Sequence, residues 1–409
     1  MKGLVLVPAR VVLEDGVAEA TAVRVEGRTI AAIGPADQLS QPGDDVRIAA
    51  SDTLIPGLID VHIHGAIGHR VETAERPGLE AFLEWLPHWG VTGLLPTIGS
   101  SRPEPMRAAI ERLADLAEGP PQGARVLGIH LEGPYFNPRR KGAQDPLAIR
   151  PPDAAEAARM LELARGHVRV MSLAPELPGV DGVLRLLSER GVRAAAGHTE
   201  ATLEEIERTI ALGLCQATHT GNAMTGLHHR VPGTLGAVLA RDEITCELVG
   251  DAVHVHPAVM KLIWRAKGTD RVVLVSDATA IAGLPDGVYG TGSRQVTVRD
   301  GRATVGDGTL AGSCMPLLAG FKNMVRICGA PLAEAVRMAS TNAARIAGCS
   351  QITGSIAVGK DADMVLLDQN LDPQLTLVSG KVVYDRRPGG TASHTSAASL
   401  TGEQVESNG

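Results

Sequence analysis

The stretch Asp60-Val61-His62-Ile63-His64-Gly65 carries the first chemistry in the chain, and it follows an apolar run, Leu54-Ile55-Pro56-Gly57-Leu58-Ile59. Side chains alternate along a strand, so Asp60, His62 and His64 share one face. Two imidazoles about 7 Å apart at the end of a buried strand can converge on one metal ion. Two polar residues at a strand end would be a plainer account, but paired imidazoles are costly to bury without a partner. The other ligands must come from elsewhere in the chain.

Further apolar runs end in ionisable groups. They are His130-Leu131-Glu132-Gly133-Pro134, Gly197-His198-Thr199, Thr218-His219-Thr220, Gly250-Asp251-Ala252-Val253-His254 and Ser276-Asp277-Ala278. Six strands delivering His, Glu or Asp to one rim is hard to explain as packing, because such groups are rarely buried unpaired. Glu132, His198 and His219 make one carboxylate and two imidazoles, a set suited to Zn²⁺ or Fe²⁺. Three protein ligands leave a position for water, whose pKa such an ion lowers to around 7. Asp277 is a further carboxylate, not needed to complete the set, that can take the water proton.

Residues 54–348 must position these groups. Apolar runs alternate there with segments of helical period: Leu58-Gly65, Val91-Ile98, Arg125-Gly133, Val168-Glu176, Val192-Thr199, Gln216-Asn222, Ile244-Asp251 and Arg271-Ala278. Helices are expected over Leu79-Trp89, Glu104-Ala117, Pro152-Ala164, Val180-Arg190 and Leu203-Leu212. Eight such repeats predict an α/β fold, a (β/α)8 TIM-like barrel, whose functional residues lie at the C-terminal strand ends. Residues 1–53 read as short strands, and 349–385 as strands again, including Gly354-Ser355-Ile356, Ala362-Leu367 and Leu375-Tyr384. Both ends are expected to build one small β-sandwich domain. Arg294-Arg299 and Arg302-Val305, joined at Asp300-Gly301, predict a separate hairpin, and Pro331-Ala339 a helix that closes the barrel. Residues 386–409, rich in Ser, Thr and Gly, read as a disordered tail.

Composition excludes several functions. There are 39 Lys and Arg against 46 Asp and Glu, a net charge of −7, which argues against nucleic acid as a partner. Phe, Trp and Tyr number only three each, so the core must be aliphatic. Five widely spaced cysteines without C-x-x-C read as reduced thiols in a cytoplasmic protein. No apolar run reaches about 20 residues, so no membrane span is expected.

Taken together, these segments resemble the amidohydrolase superfamily and, within it, the deacetylases of N-acetylated amino-sugar phosphates. The resemblance runs over about residues 1–385 and is carried by 56–65, 130–134, Ala196-Gly197-His198-Thr199, Gly221-Asn222-Ala223-Met224 through His229-Arg230, 275–279, Ala311-Gly312-Ser313 and 354–363. Glu-Gly-Pro together with Asn-Ala-Met marks the deacetylases, while H-x-H is shared more widely. Strand four ends Leu173-Ala174-Pro175-Glu176, without the lysine that bridges two ions in other members.

The resemblance implies a roles assignment. Glu132, His198 and His219 hold the main divalent ion, zinc or else iron, and His62 and His64 a second ion that some members lack. Asp277 acts as base and then acid, and His254 polarises the acetyl carbonyl. Asn222, Ala223 and Arg230 take a 6-phosphate, while Ala143, Gln144, Asp251, His254, Leu310, Ala311 and Gly312 line the sugar. Gln144 stands where a histidine is usual. The implied partner is a small amino-sugar phosphate, and the implied assembly a homodimer. Hydrolysis of another N-acyl or cyclic amide, or a barrel scaffold without chemistry, are the alternatives. Arg230 and the absence of the strand-four lysine argue against the first, and the intact set Glu132, His198, His219 and Asp277 against the second.

Overall fold

The structure is a computed structural model that describes residues 3–121, 123–290, 295–306 and 308–387. The expected tail lies, from 388 onward, outside the described residues. Eight parallel strands form the barrel: Leu58–Ile63, Val91–Ile98, Ile129–Glu132, Val168–Leu173, Arg193–Ala196, Leu214–Ala217, Thr245–Val249 and Val272–Val275. Each pairs with the next. The ring closes where the Asp277 N–H donates to His62 O (2.9 Å) and the His64 N–H to Ala278 O (2.7 Å). The last contact of the barrel therefore lies between two chemistry-bearing segments.

The strands are continuous and apolar because helices cover them outside, and Val91–Ile98 is buried at every position. Helix Val180–Glu189 shows the covering pattern, burying Val180, Val183, Leu184 and Leu187. Asp153 accepts hydrogen bonds from the Ala155 and Glu156 N–H groups, so the helix expected from Pro152 starts at Ala154. A separate apolar cluster joins Ile59, Leu95, Val170, Ala195, Val249 and Val273 from six strands. Residues from opposite sides of a ring meet only in its interior, so this cluster fills the barrel as a packed core.

Two strand expectations fail. The third is broken, because Gly128 turns to φ +154° between Arg125–Val126 and Ile129–Glu132. The sixth ends at Ala217 rather than Asn222, since the His219 N–H leaves the ladder for the Glu247 carboxylate (3.1 Å).

Strands from both chain ends share one eight-stranded mixed sheet. Strand Asp45–Pro56 lies parallel to Leu4–Leu13 on one side and antiparallel to Met364–Leu367 on the other, with Pro56 opposite Met364. It runs past residue 53 and enters the first barrel strand through Gly57 alone. A Cβ at Gly57 would stand 2.0 Å from Thr92 Oγ1, so only glycine fits there. Segment 354–356 is not a strand; Gly354 has φ +86°, and its carbonyl accepts from Thr341 Oγ1 (2.9 Å) instead of a ladder partner. Leu375-Tyr384 is a hairpin, Pro373–Val378 and Lys381–Asp385. Val296–Arg299 and Arg302–Thr304 pair as expected, in a three-stranded sheet of their own with Gly287–Tyr289. The closing helix runs on from Leu332 through a π-helical stretch to Ile346. All five cysteines are unpaired, and among the described residues no helix is long and apolar enough to cross a membrane.

Candidate active site

Glu132 ends the third barrel strand, and His198 and His219 follow the ends of the fifth and sixth. Glu132 Oε1 lies 3.1 Å from His198 Nε2 and 3.1 Å from His219 Nε2, and the two nitrogens are 3.1 Å apart. A tetrahedral ion with ~2.0–2.1 Å bonds needs ligand atoms about 3.3 Å apart. The triangle fits such an ion, and all three residues are buried. His198 Nδ1 faces the Arg140 carbonyl (2.8 Å), which keeps the proton on Nδ1 and leaves the Nε2 lone pair free to ligate.

The other carboxylate oxygen, Glu132 Oε2, faces the paired histidines. It lies 3.3 Å from His64 Nε2, and His62 Nε2 is 3.2 Å from His64 Nε2 and 3.7 Å from Glu132 Oε1. Asp277 Oδ1 is 3.5 Å from both histidines. Glu132 thus stands between two potential ion positions. Burial alone would push protons off both histidines, but the surrounding carboxylates outweigh it. His62 is held up at about 9, chiefly by Asp277 and Glu247, and His64 well above its ordinary value by Glu132 and Glu72. Burial likewise opposes ionisation of Glu132, yet His198, His219 and His64 hold it well below the carboxylate range. Two imidazoles among carboxylates that favour positive charge suit a divalent ion in place of the protons.

His198, His219 and Asp277 all adopt left-handed backbone, with φ of 46°, 30° and 49°. For residues with a Cβ this conformation is strained, and such strain gathers at functional sites. It bends each chain inward just past its strand, which is how the rim residues reach the centre.

His254 is held by Asp251. Asp251 Oδ2 meets His254 Nδ1 at 2.7 Å, and Asp251 Oδ1 accepts from the Val253 and His254 N–H groups (2.9 Å each). Burial lowers the His254 pKa, but Asp251 and Asp277 outweigh it and raise the value above the ordinary one. Segment 310–313 reaches the same rim: the Ser313 N–H donates to Asp277 O (2.9 Å), and Thr279 N–H to Ser313 O (3.0 Å).

The other expected substrate residues have these surroundings. Gln144 Nε2 donates to Glu132 Oε2 (2.5 Å), and its Oε1 accepts from the Ser100 N–H (2.8 Å). Its amide is therefore tied to the metal-facing carboxylate at one end and to backbone at the other. Ala143 lies on the same loop. Asn222 turns its side chain back onto His219 O (3.1 Å), and the Ala223 carbonyl accepts from the Thr199 N–H (3.0 Å). Arg230 is exposed, 2.7 Å from His229 Nε2, and pairs with no carboxylate among the described residues.

Two buried carboxylates escaped sequence reasoning, and His130, quoted at the end of the third strand, had no role assigned. Glu247 faces His62 Nδ1 (2.9 Å), Glu72 lies 3.6 Å from His64 Nδ1, and His130 bonds Val61 O (3.0 Å) and Ser172 Oγ (2.8 Å). Glu247 carried a signal, a lone carboxylate inside the apolar strand Thr245–Val249. Glu72 sits in a loop and carried none.

A model of the amidohydrolase family matches residues 53–383. The chain is 35% identical over 343 residues to the N-acetylglucosamine-6-phosphate deacetylase of Bacillus subtilis, covering 83% of this chain and 87% of that one. It is also 35% identical over 378 residues to the N-acetylgalactosamine-6-phosphate deacetylase of Escherichia coli O157:H7, covering 92% and 98%. Among solved structures, a mutant N-acetyl-D-glucosamine-6-phosphate deacetylase from Mycobacterium smegmatis, in complex with N-acetyl-D-glucosamine-6-phosphate, superposes with a TM-score of 0.87 at 31% identity, covering 94% and 100%. With a barrel, a site and relatives that agree over nearly its whole length, the chain belongs to the amidohydrolase family.

Proposed function

We propose that the chain hydrolyses the N-acetyl group of N-acetylglucosamine 6-phosphate, giving glucosamine 6-phosphate and acetate in amino-sugar catabolism. The observation that carries this reading is the meeting of Glu132, His198 and His219 at 3.1 Å on the rim that also holds Asp277 and the Asp251–His254 pair. A divalent ion on the first three residues, zinc by preference for a compact N₂O set and otherwise iron, would polarise the acetyl carbonyl and make water acidic enough to attack near neutral pH. Asp277 takes the proton of the attacking water. His254, whose pKa Asp251 raises, donates a hydrogen bond to the carbonyl oxygen as negative charge develops there. Asp277 then returns its proton to the departing amine. Arg230 and the backbone at Ala223 are assigned to the phosphate, because a planar guanidinium with a backbone donor suits that group, while the Asn222 N–H, expected there too, donates to His219 O (2.9 Å).

A second reading is the C4 epimer, N-acetylgalactosamine 6-phosphate, supported by the relative that matches over 92% of the chain. Acetate release should be measured on both 6-phosphates and on both unphosphorylated sugars. The proposal expects the highest kcat/KM on N-acetylglucosamine 6-phosphate. Higher kcat/KM on the galacto sugar transfers the assignment to it, and no acetate from any of the four overturns both.

A further inference from the structure

The carboxylate of Glu247 touches a residue of each proposed ion position. Glu247 lies inside the barrel, 0% exposed, on strand Thr245–Val249. Its Oε2 receives both His62 Nδ1 (2.9 Å) and the His219 N–H (3.1 Å), and its Oε1 accepts from Gln216 Nε2 (2.7 Å). Gln216 Oε1 in turn accepts from Arg193 Nε (3.1 Å), which fixes the direction of its amide. An ionised carboxylate only accepts, so the proton of His62 must sit on Nδ1. The Nε2 lone pair then points toward His64 Nε2 and Glu132, 3.2 and 3.7 Å away. His219 lacks such support on its ring, since its buried Nδ1 has no partner among the described residues. Its orientation depends instead on its left-handed backbone, φ 30°, whose N–H is the one that Glu247 holds. His130 stands beside His62 with ring centroids 4.7 Å apart, but the protein engages both its ring nitrogens, so it offers no lone pair.

We propose that Glu247 is a positioning residue that locks His62 in the tautomer whose Nε2 can ligate, and that it links the His62–His64 position to the first through the His219 N–H. The inference rests on the reading that Glu132, His198, His219, His62 and His64 ligate metal. Glu247→Gln tests it almost without a change of volume. The new amide has one accepting and one donating end. If the oxygen stays on His62, its NH₂ confronts the NH₂ of Gln216; if it flips, its NH₂ faces His62 Nδ1 and drives that proton to Nε2, which can then no longer ligate. The second position weakens either way, whereas polar groups behind a ligating histidine are worth about 10–100-fold in metal affinity.

Metal-free protein, wild type and Glu247→Gln, should be titrated with Co²⁺, following visible absorption and bound metal, with the melting temperature of each metal-free protein as control. The expected result is two equivalents in wild type. The variant should bind the second about 10–100-fold more weakly, lose less at the first, whose His219 N–H shares the same carboxylate oxygen, and melt as wild type does without metal. Two equally tight equivalents in the variant would overturn the role of Glu247. So would equal loss of both with a lowered melting temperature, the mark of a merely structural residue. A single equivalent in wild type would instead overturn the two-ion reading, and the inference with it. If the variant does not fold, nitrogen NMR of histidine-labelled wild-type zinc protein decides: a proton on His62 Nδ1 supports the lock, and one on Nε2 overturns it.

Discussion

Asp251 grips His254 twice, with Oδ2 on the ring Nδ1 at 2.7 Å and Oδ1 on the backbone N–H at 2.9 Å. Against burial, which lowers it, Asp251 raises the imidazole pKa above its ordinary value of 6.5. Activity that needs the protonated ring falls as pH rises through the raised value. In Asp251→Asn the His254 pKa drops, so the basic limb of kcat/KM should move to lower pH. Stability has a matching sign. A raised His pKa stabilises most below 6.5 and loses its contribution as pH climbs through the folded value, while the lowered Asp251 pKa stabilises above 3.8 and fails in acid. The variant should therefore be most destabilised relative to wild type near pH 5–6, which melting curves at several pH values will show. An unmoved basic limb would remove His254 from the chemistry.

Asp277→Asn should keep metal content and substrate affinity but lose turnover by on the order of 10²-fold or more, because an amide cannot accept the water proton. Turnover within a few-fold of wild type would show that another group is the base.

His62→Ala with His64→Ala should lower bound metal from about two ions per chain to about one by elemental analysis. Wild-type protein that holds one equivalent even in excess metal would leave these histidines without an ion.

Arg230→Ala should cut kcat/KM for the 6-phosphorylated sugar by on the order of 10²-fold, in line with roughly 2–5 kcal/mol for losing one partner of a charged pair. Activity on the unphosphorylated sugar should hardly change. An equal loss on both sugars would mean that Arg230 shapes the site generally and does not bind phosphate.

The barrel was legible because its strands are buried on both sides and read as apolar runs, and because rim residues fall at the ends of those runs. The period-two spacing of His62 and His64 likewise carried through to a shared location. What could not be read was anything set by a turn of the backbone. The strand through Arg125-Gly133 breaks at Gly128, and His198, His219 and Asp277 reach the centre only through left-handed bends. Nor does spacing tell which way a loop amide faces. Gln144 Nε2 donates to Glu132 Oε2 twelve residues away, and Arg230 stands exposed beside His229.

The strand Asp45–Pro56 gains its second neighbour only from Met364–Leu367, some three hundred residues later. On a ribosome adding ~5–20 residues per second, that flank has no native partner for roughly 15–60 s. During this interval the nascent chain carries an unpaired β edge that leads straight into the His62 strand, and an open edge is a template for pairing with other chains. The order of synthesis thus makes this β sheet the last part of the molecule whose strands can all be paired.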